Sequence, residues 1–185
     1  MQQLKMQAVT AERKEERALP QGYMFEKFNG SEKDIADWKL IINEAFMPSD
    51  GPDSCYHLAI EVYPDCVPTR DIWFITNERN EHVATITTIT HKDGSGYVHM
   101  VAARESERGK GLGHSMARYA LKVFADRGVE KVILTTDDFR LAAVKTYIDA
   151  GFNPVIYQDP DSDMNVRWDA VLEKLGYTQV KRIVE

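Results

Sequence analysis

Two periods of apolar residues take turns along this chain, a period of two that predicts strands and steps of three and four that predict helices. Residues 23–28 alternate well enough for a first strand, and Asn29-Gly30 ends it. Ser31 then caps a helix whose buried stripe is Ile35, Trp38, Ile41, Ile42 and Ala45. Pro, Asp, Ser and Gly make 47–55 a loop, 56–63 reads as a short helix or irregular segment, and Pro64 and Pro68 mark the next connection. Turns at 77–80 and 92–96 join the β-branched runs 71–76 and 82–90 and the strand 97–102 into an antiparallel meander. A helix over 112–127 follows, ended by Gly128, then a buried strand over 131–135 and a helix over 140–150 capped by Asp137 or Asp138.

Strand, helix, strand in that order implies a right-handed crossover and a parallel pair. After 152–156 comes an acidic loop over 158–164, and Val166, Trp168, Val171, Leu172 and Leu175 make an amphipathic helix with Gly176 behind it. The last residues suit an edge strand. At the other end, 1–21 joins a short apolar-alternating piece to the charge run 12–17 and reads as a solvated arm or helix end. The fold class is therefore α/β (α+β), one domain over 1–185, with an arm over 1–21 and a C-terminal helix and tail over 158–185.

Composition narrows the picture. A chain of 185 residues with 43% hydrophobic content supports one full core. The formal charge of −6, from 23 Lys+Arg against 29 Asp+Glu, lacks the basic footprint of a nucleic-acid binder. No apolar run suits a membrane span and the charged start is not a secretory signal, so a cytoplasmic protein is expected. Cys55 and Cys66 read as free thiols, and with His57 they match no zinc spacing, so no metal is expected. His57, His82, His91 and His114 show no partner pattern and are expected at the surface or in loops.

The chemistry concentrates between Val98 and His114, a strand, a charged loop and a glycine-spaced turn that opens a helix. Such a turn presents consecutive backbone N–H groups to an anion, and phosphate is the obvious one. Arg104, Arg108 and Lys110 add positive charge beside it. A Walker A loop is excluded because Lys110 sits between glycines, and the dinucleotide fingerprint because Gly109, Gly111 and Gly113 are spaced G-x-G-x-G.

What remains, Arg108-x-x-Gly111-x-Gly113 after Val101-Ala102-Ala103, resembles motif A of the GNAT superfamily of acyl-CoA N-acyltransferases. A second match follows at the family's spacing, Ala143-x-x-x-Tyr147-x-x-x-Gly151-Phe152. The resemblance spans 23–155 in outline, with its strong motifs between Val98 and Phe152. It implies a GNAT-like mixed, mostly antiparallel sheet flanked by helices, in which the fourth and fifth expected strands, 97–102 and 131–135, form a splayed parallel pair around the pantetheine arm. It also implies acetyl-CoA as cosubstrate. Arg108, Gly109, Lys110, Gly111, Leu112, Gly113 and His114 would hold its pyrophosphate, the backbone of Val101, Ala102 and Ala103 its pantetheine, and Arg140, Ala143 and Tyr147 would contact it from the next helix. Arg140 stands where many members have Asn. The region between the first two strands would shape the acceptor pocket.

Acyl transfer from a thioester to an amine needs a positioned donor, charge stabilisation at the carbonyl oxygen, a neutral amine and a proton for the leaving thiolate. Tyr147 is the expected proton donor, its helix placing it with Arg140 and Ala143 beside a greasier stripe of Leu141, Val144 and Ile148. Counting back from Arg108, the place of a catalytic glutamate in some members falls on Tyr97, a poor base, so His99 two residues on is the candidate base, against a water relay or no dedicated base. No Gly-x-Ser-x-Gly elbow or catalytic cysteine motif supports an acyl-enzyme.

The expected function is N-acetyl transfer from acetyl-CoA directly to a primary amine of a small molecule or peptide. No nucleic-acid or membrane partner is expected, and a homodimer fits the reading. Use of longer acyl chains and a non-catalytic acyl-CoA-binding module are the alternatives, and Tyr147 speaks against the second because a pure binder needs no proton donor.

Overall fold

A computed structural model describes residues 2–46, 55–159 and 162–185 of the chain. Its strands are β1 (Leu4–Val9), β2 (Met24–Lys27), β3 (Ile72–Thr76), β4 (His82–Thr90), β5 (Gly96–Ala103), β6 (Lys131–Thr136), β7 (Asn153–Ile156) and β8 (Ile183–Val184). Its main helices are α1 (Glu32–Phe46), α2 (Leu112–Asp126), α3 (Leu141–Ala150) and α4 (Asp163–Lys174). The strands form one sheet in the order β2-β3-β4-β5-β6-β1-β7-β8. Pairing is antiparallel except at β5–β6 and β7–β8. The mixed, mostly antiparallel architecture and the terminal edge strand are as the pattern implied. The loop expected over 47–55 lies, apart from Cys55, outside the described residues, as does part of the acidic loop over 158–164.

The N-terminal expectation needs correction. Instead of a solvated arm, Leu4–Val9 is an internal strand, antiparallel to β6 from Leu4↔Thr136 to Val9↔Lys131 and to β7 at Met6↔Pro154. Leu4, Met6 and Ala8 are at most 1% exposed, so the brief alternation was a strand signal outweighed by the charge run behind it. The charge run is solvated: 11–18 are exposed as the chain crosses α2 toward β2.

Period-two alternation on β3 divides the core. Ile72 and Phe74 pack with Trp38, Ile41 and Ile42 of α1, while Ile75 packs with the cluster that α2, α3 and α4 cover. Ser31 Oγ accepts from Asp34 N–H at 3.2 Å, the expected N-cap of α1. On α4 the buried stripe runs through Met164, Trp168, Val171 and Leu172, and Val166, expected on it, is 62% exposed. His82 was expected at the surface, but it is buried, stacked on Phe74 and 2.8 Å from Asp37 Oδ2. Asp71, fully buried, accepts from Arg70 and Arg127, and Arg127 also donates to the Thr88 carbonyl at 2.6 Å. That network pins the C-terminal end of α2 to β4, so the opposite end of the helix is held at the end of β5.

Candidate active site

β5 pairs with β6 only at Gly96↔Val132 and Tyr97↔Ile133; beyond Tyr97 the two strands part. From there β5 is bonded on one side only, and its other edge turns backbone groups into the gap. A bulge adds a second feature. Thr85 faces Ala102 and Thr87 faces His99, which leaves Met100 and Val101 against Ile86, with Met100 at φ +48°. One extra residue reverses the alternation of a strand. Val98, Val101 and Ala103 accordingly all pack toward the α2–α3 side, while Met100 and Ala102 join Trp38 and Phe74 on the side of α1.

The turn after β5 comes next. A 3-10 turn, Glu105–Glu107, leads into Gly109 and Gly111 at φ +80° and +81°, the left-handed region that only glycine enters freely. Gly111 is the N-cap of α2 and no side chain caps the helix. The N–H groups of His114 and Ser115 bond back to the Gly111 carbonyl, so the positive end of α2 opens at the turn.

Two cavities meet at the splay. The larger, about 480 Å³, is lined by Val101, Ala102 and Ala103 of β5, by Arg108, Gly109 and Gly111 of the turn, by Leu112, Gly113 and His114 of α2, and by Ala143 and Tyr147 of α3. These residues were expected around a coenzyme, and a strand, the turn and two helices bring them together. The smaller, about 270 Å³, is lined by Gln3, Thr135, Asp137 and Arg140 together with Tyr97, His99 and Tyr147. Val101, Ala143 and Tyr147 line both.

Two expected cofactor residues sit elsewhere. Lys110 does not line the larger cavity; its ammonium donates to Glu107 Oε2 at 2.8 Å and to Tyr23 Oη at 2.9 Å. Arg140 lines the smaller cavity only, because it is the N-cap residue of α3 and not a member of its face, and its Nε donates to Asp137 at 3.0 Å while the guanidinium lies over Phe46. Neither Asp137 nor Asp138 caps α3; Asp138 pairs with Arg167. The positive charge expected at the turn is also largely matched, with Arg104 at 3.0 Å from Glu44, Arg108 at 3.4 Å from Glu105 and Lys110 at 2.8 Å from Glu107. Sequence reasoning missed Glu107, Lys145 and Thr146, which also line the larger cavity. The helical steps 142, 143, 146 and 147 carried a signal for Thr146; nothing local marked Glu107.

Tyr147 is 8% exposed and lies on the buried line of α3 with Val144 and Ala150, so it belongs to the packed face and not beside it. Burial pushes its phenol up to about 12, with the Arg140 charge opposing. His99 packs against Tyr63 at 4.4 Å between ring centres, and its Nε2 donates to the Ala59 carbonyl at 3.1 Å, which leaves Nδ1 as the ring's acceptor. Burial pulls its pKa down to about 4, so the ring is neutral at physiological pH and weakly basic. Tyr97 donates to or accepts from Thr135 at 3.0 Å, bridging the strands just where they part. Among the described residues no group of three His, Cys, Asp or Glu side chains is placed to hold a metal ion, and no helix is long and apolar enough to cross a membrane.

Residues 36–152 match the model of the acetyltransferase (GNAT) family. No curated protein matches the chain in sequence. Among solved structures, a GCN5-related N-acetyltransferase from Sphaerobacter thermophilus aligns with a TM-score of 0.66 at 19% identity, over 83% of this chain and 49% of that one. Another from Kribbella flavida gives 0.58 at 20% identity, over 83% and 55%. The ribosomal-protein-S18-alanine N-acetyltransferase of Escherichia coli gives 0.57 at 16%, over 71% and 77%. The chain spans about half the length of the first two. At such identities the likeness is one of fold.

Proposed function

Because the chain belongs to the acetyltransferase (GNAT) family, we propose that it transfers an acetyl group from acetyl-CoA directly to a primary amine. The observation that carries this reading is the shared wall: Val101, Ala143 and Tyr147 line both the cavity under the glycine turn and the polar cavity beyond it. One compartment suits a donor, the other an acceptor, and the phenol stands between them.

The residues present fit the donor. Gly109 and Gly111 keep side chains off the turn, the uncapped start of α2 offers N–H groups to phosphate, and the free edge of β5 offers a ladder to the amides of an extended arm. Acetyl-CoA supplies an activated carbonyl and a thiolate leaving group. For this chain, edge N–H groups of β5 orient the thioester and share the charge on its oxygen, and Tyr147 donates a hydrogen bond toward the departing sulfur. With a pKa near 12 the phenol stays protonated throughout the working range and acts more as a hydrogen-bond donor than as a full acid. His99, at about 4, is too weak to hold an ammonium proton, so water takes the proton of the amine and His99 has a wall-forming part. Gln3, Thr135, Asp137 and Arg140 are the groups that an acceptor meets.

The test is release of free thiol from acetyl-CoA by the purified full chain with a panel of polyamines, amino acids, aminoglycosides and peptides bearing free N-termini. Acetylation of any of them supports the reading. Tight binding of CoA with no transfer to any amine would replace it by a non-catalytic acyl-CoA binder.

A further inference from the structure

A chain of hydrogen bonds joins Tyr97 to Arg140 through residues that line the smaller cavity. Tyr97 Oη lies 3.0 Å from Thr135 Oγ1, which donates to Gln3 Oε1 at 2.9 Å; Gln3 Nε2 donates to Asp137 Oδ1 at 3.0 Å, and Arg140 Nε donates to Asp137 Oδ2 at 3.0 Å. A carboxylate only accepts, so the Gln3 amide turns its nitrogen to Asp137 and its oxygen to Thr135. Thr135 thereby commits its proton to Gln3, and the Tyr97 hydroxyl is the donor to Thr135. Both oxygens of Asp137 are engaged, and the chain ends at the guanidinium of Arg140.

That guanidinium is anchored with its fork unused. Nε alone takes part in the chain, and among the described residues the terminal nitrogens of Arg140 make no hydrogen bond. The ring centres of Phe46 and Phe139 lie 4.5 Å and 5.4 Å from the guanidinium carbon, contacts that orient the group. The side chain is 32% exposed while it lines the cavity, so a ligand can reach it. A planar fork of N–H donors matches a carboxylate in a bidentate pair. Burial raises the Tyr147 phenol and the Arg140 charge draws it down, so the arginine acts across the same small space as the proposed proton donor. The other lining groups suit an amine: the neutral ring of His99 keeps a lone pair at Nδ1, and Tyr147 belongs to the wall shared with the donor compartment. At about 270 Å³ the cavity falls below the roughly 300–1,000 Å³ of drug-sized ligand sites, which limits the acceptor to a small molecule.

We propose that the acceptor is a free amino acid, its carboxylate bound by the terminal nitrogens of Arg140 and its amino group directed at the wall shared by the two cavities. Arg140 is then a specificity-determining residue, selecting acceptors that carry a carboxylate close to the reacting amine. Asp137 and Phe46 already hold the guanidinium, so little side-chain freedom is lost when a carboxylate binds. The proposal rests on the acetyl-transfer reading above and narrows its acceptor. In the transfer the amino nitrogen bonds the acetyl carbon, the carbon–sulfur bond breaks, the proton of the amine passes to water and CoA leaves as a thiolate; the carboxylate is untouched.

The experiment compares the standard amino acids with their decarboxylated amines as acceptors for the purified full chain, read by release of free thiol, and repeats the comparison with Arg140→Gln and Arg140→Lys beside calorimetric titrations of all three proteins with CoA. The parent should use at least one amino acid with a kcat/KM about 10- to 100-fold above that of its decarboxylated amine, the size of a hydrogen bond between charged groups. Arg140→Gln should erase that preference, chiefly through KM and with CoA affinity held, and Arg140→Lys should restore part of it. The preference is a ratio of two acceptors on one preparation, so partial unfolding of a variant leaves it unchanged. A parent that uses the decarboxylated amines equally well, or other amines and no amino acid, overturns the proposal and leaves acetyl transfer standing. A preference that survives in Arg140→Gln overturns the part given to Arg140, and a loss of CoA affinity there moves the residue to the coenzyme. Tight CoA binding without transfer to any amine overturns both readings.

Discussion

The Tyr23 hydroxyl donates to Glu107 Oε2 at 2.6 Å, tying the start of β2 to the loop that carries the glycine turn. The same carboxylate oxygen accepts from Lys110 at 2.8 Å, so a buried acid lining the larger cavity is compensated from two sides. Removal of the phenol hydroxyl therefore loosens the turn without touching any residue that forms the helix start.

Tyr23→Phe should cost about 1.5–3 kcal/mol at neutral pH, the range of a hydrogen bond to a charged group. Burial alone would raise the Glu107 carboxyl, but the bonds from Lys110 and Tyr23 outweigh it and hold the group below its ordinary 4.5. A depressed carboxyl contributes stability that is complete above about 4.5 and is lost as pH falls through the folded value. Thermal midpoints of parent and variant should accordingly differ at pH 7 and converge in acid; a constant gap at all pH values would contradict the assignment.

Gly109 and Gly111 share a left-handed φ but not their surroundings, since a Cβ at Gly109 meets nothing within 4 Å while one at Gly111 meets Arg17. Alanine at either should destabilise by about 1–2 kcal/mol through backbone strain. Gly111→Ala should also weaken CoA binding more than Gly109→Ala, because Gly111 lines the larger cavity at the start of α2 and only its Cβ crowds a neighbour. Denaturation curves and CoA titrations of the two variants, compared side by side, check both statements.

Tyr147→Phe keeps the ring and its edge contact with Phe152 at 6.0 Å. The turnover number should fall about 100-fold, the low end for help with a proton, while acetyl-CoA affinity and the thermal midpoint hold. Since the phenol ionises only near 12, the parent's rate should not decline between about pH 7 and 10 on its account. Steady-state kinetics over that range, with any accepted amine, decides the matter, and an unimpaired Phe variant removes Tyr147 from the mechanism.

His99→Gln tests a packing residue at the wall of the same cavity. Folded His99 titrates near 4 and its ordinary value is 6.5, so between these the unfolded chain binds more protons. Stability that comes from keeping the ring neutral is complete above about 6.5 and is lost as pH falls toward 4. Unfolding measured from pH 7 to 4 should show a steeper loss in the parent than in the Gln variant. Turnover at pH 7 should change less than about 10-fold, and a fall of the size general-base catalysis supplies, about 10² or more, would restore His99 as the base.

Elements were legible in the chain wherever the signal was local. Ser31 capping α1, the glycine spacing before α2 and the order strand, helix, strand are all settled by neighbours within a few residues, and each stands where the pattern put it. Tertiary structure decided what depends on distant partners. Leu4, Met6 and Ala8 became an internal strand only because β6 and β7 close on both sides of them, pairings that join residues more than a hundred positions apart. The pKa values of Tyr147 and His99 were set by burial, which no spacing encodes. Lys110, legible as a phosphate ligand, was claimed by Glu107 and Tyr23. A charge in the sequence is only a supply; which carboxylate or backbone it meets is fixed by long-range packing, and that is where the sequence stops.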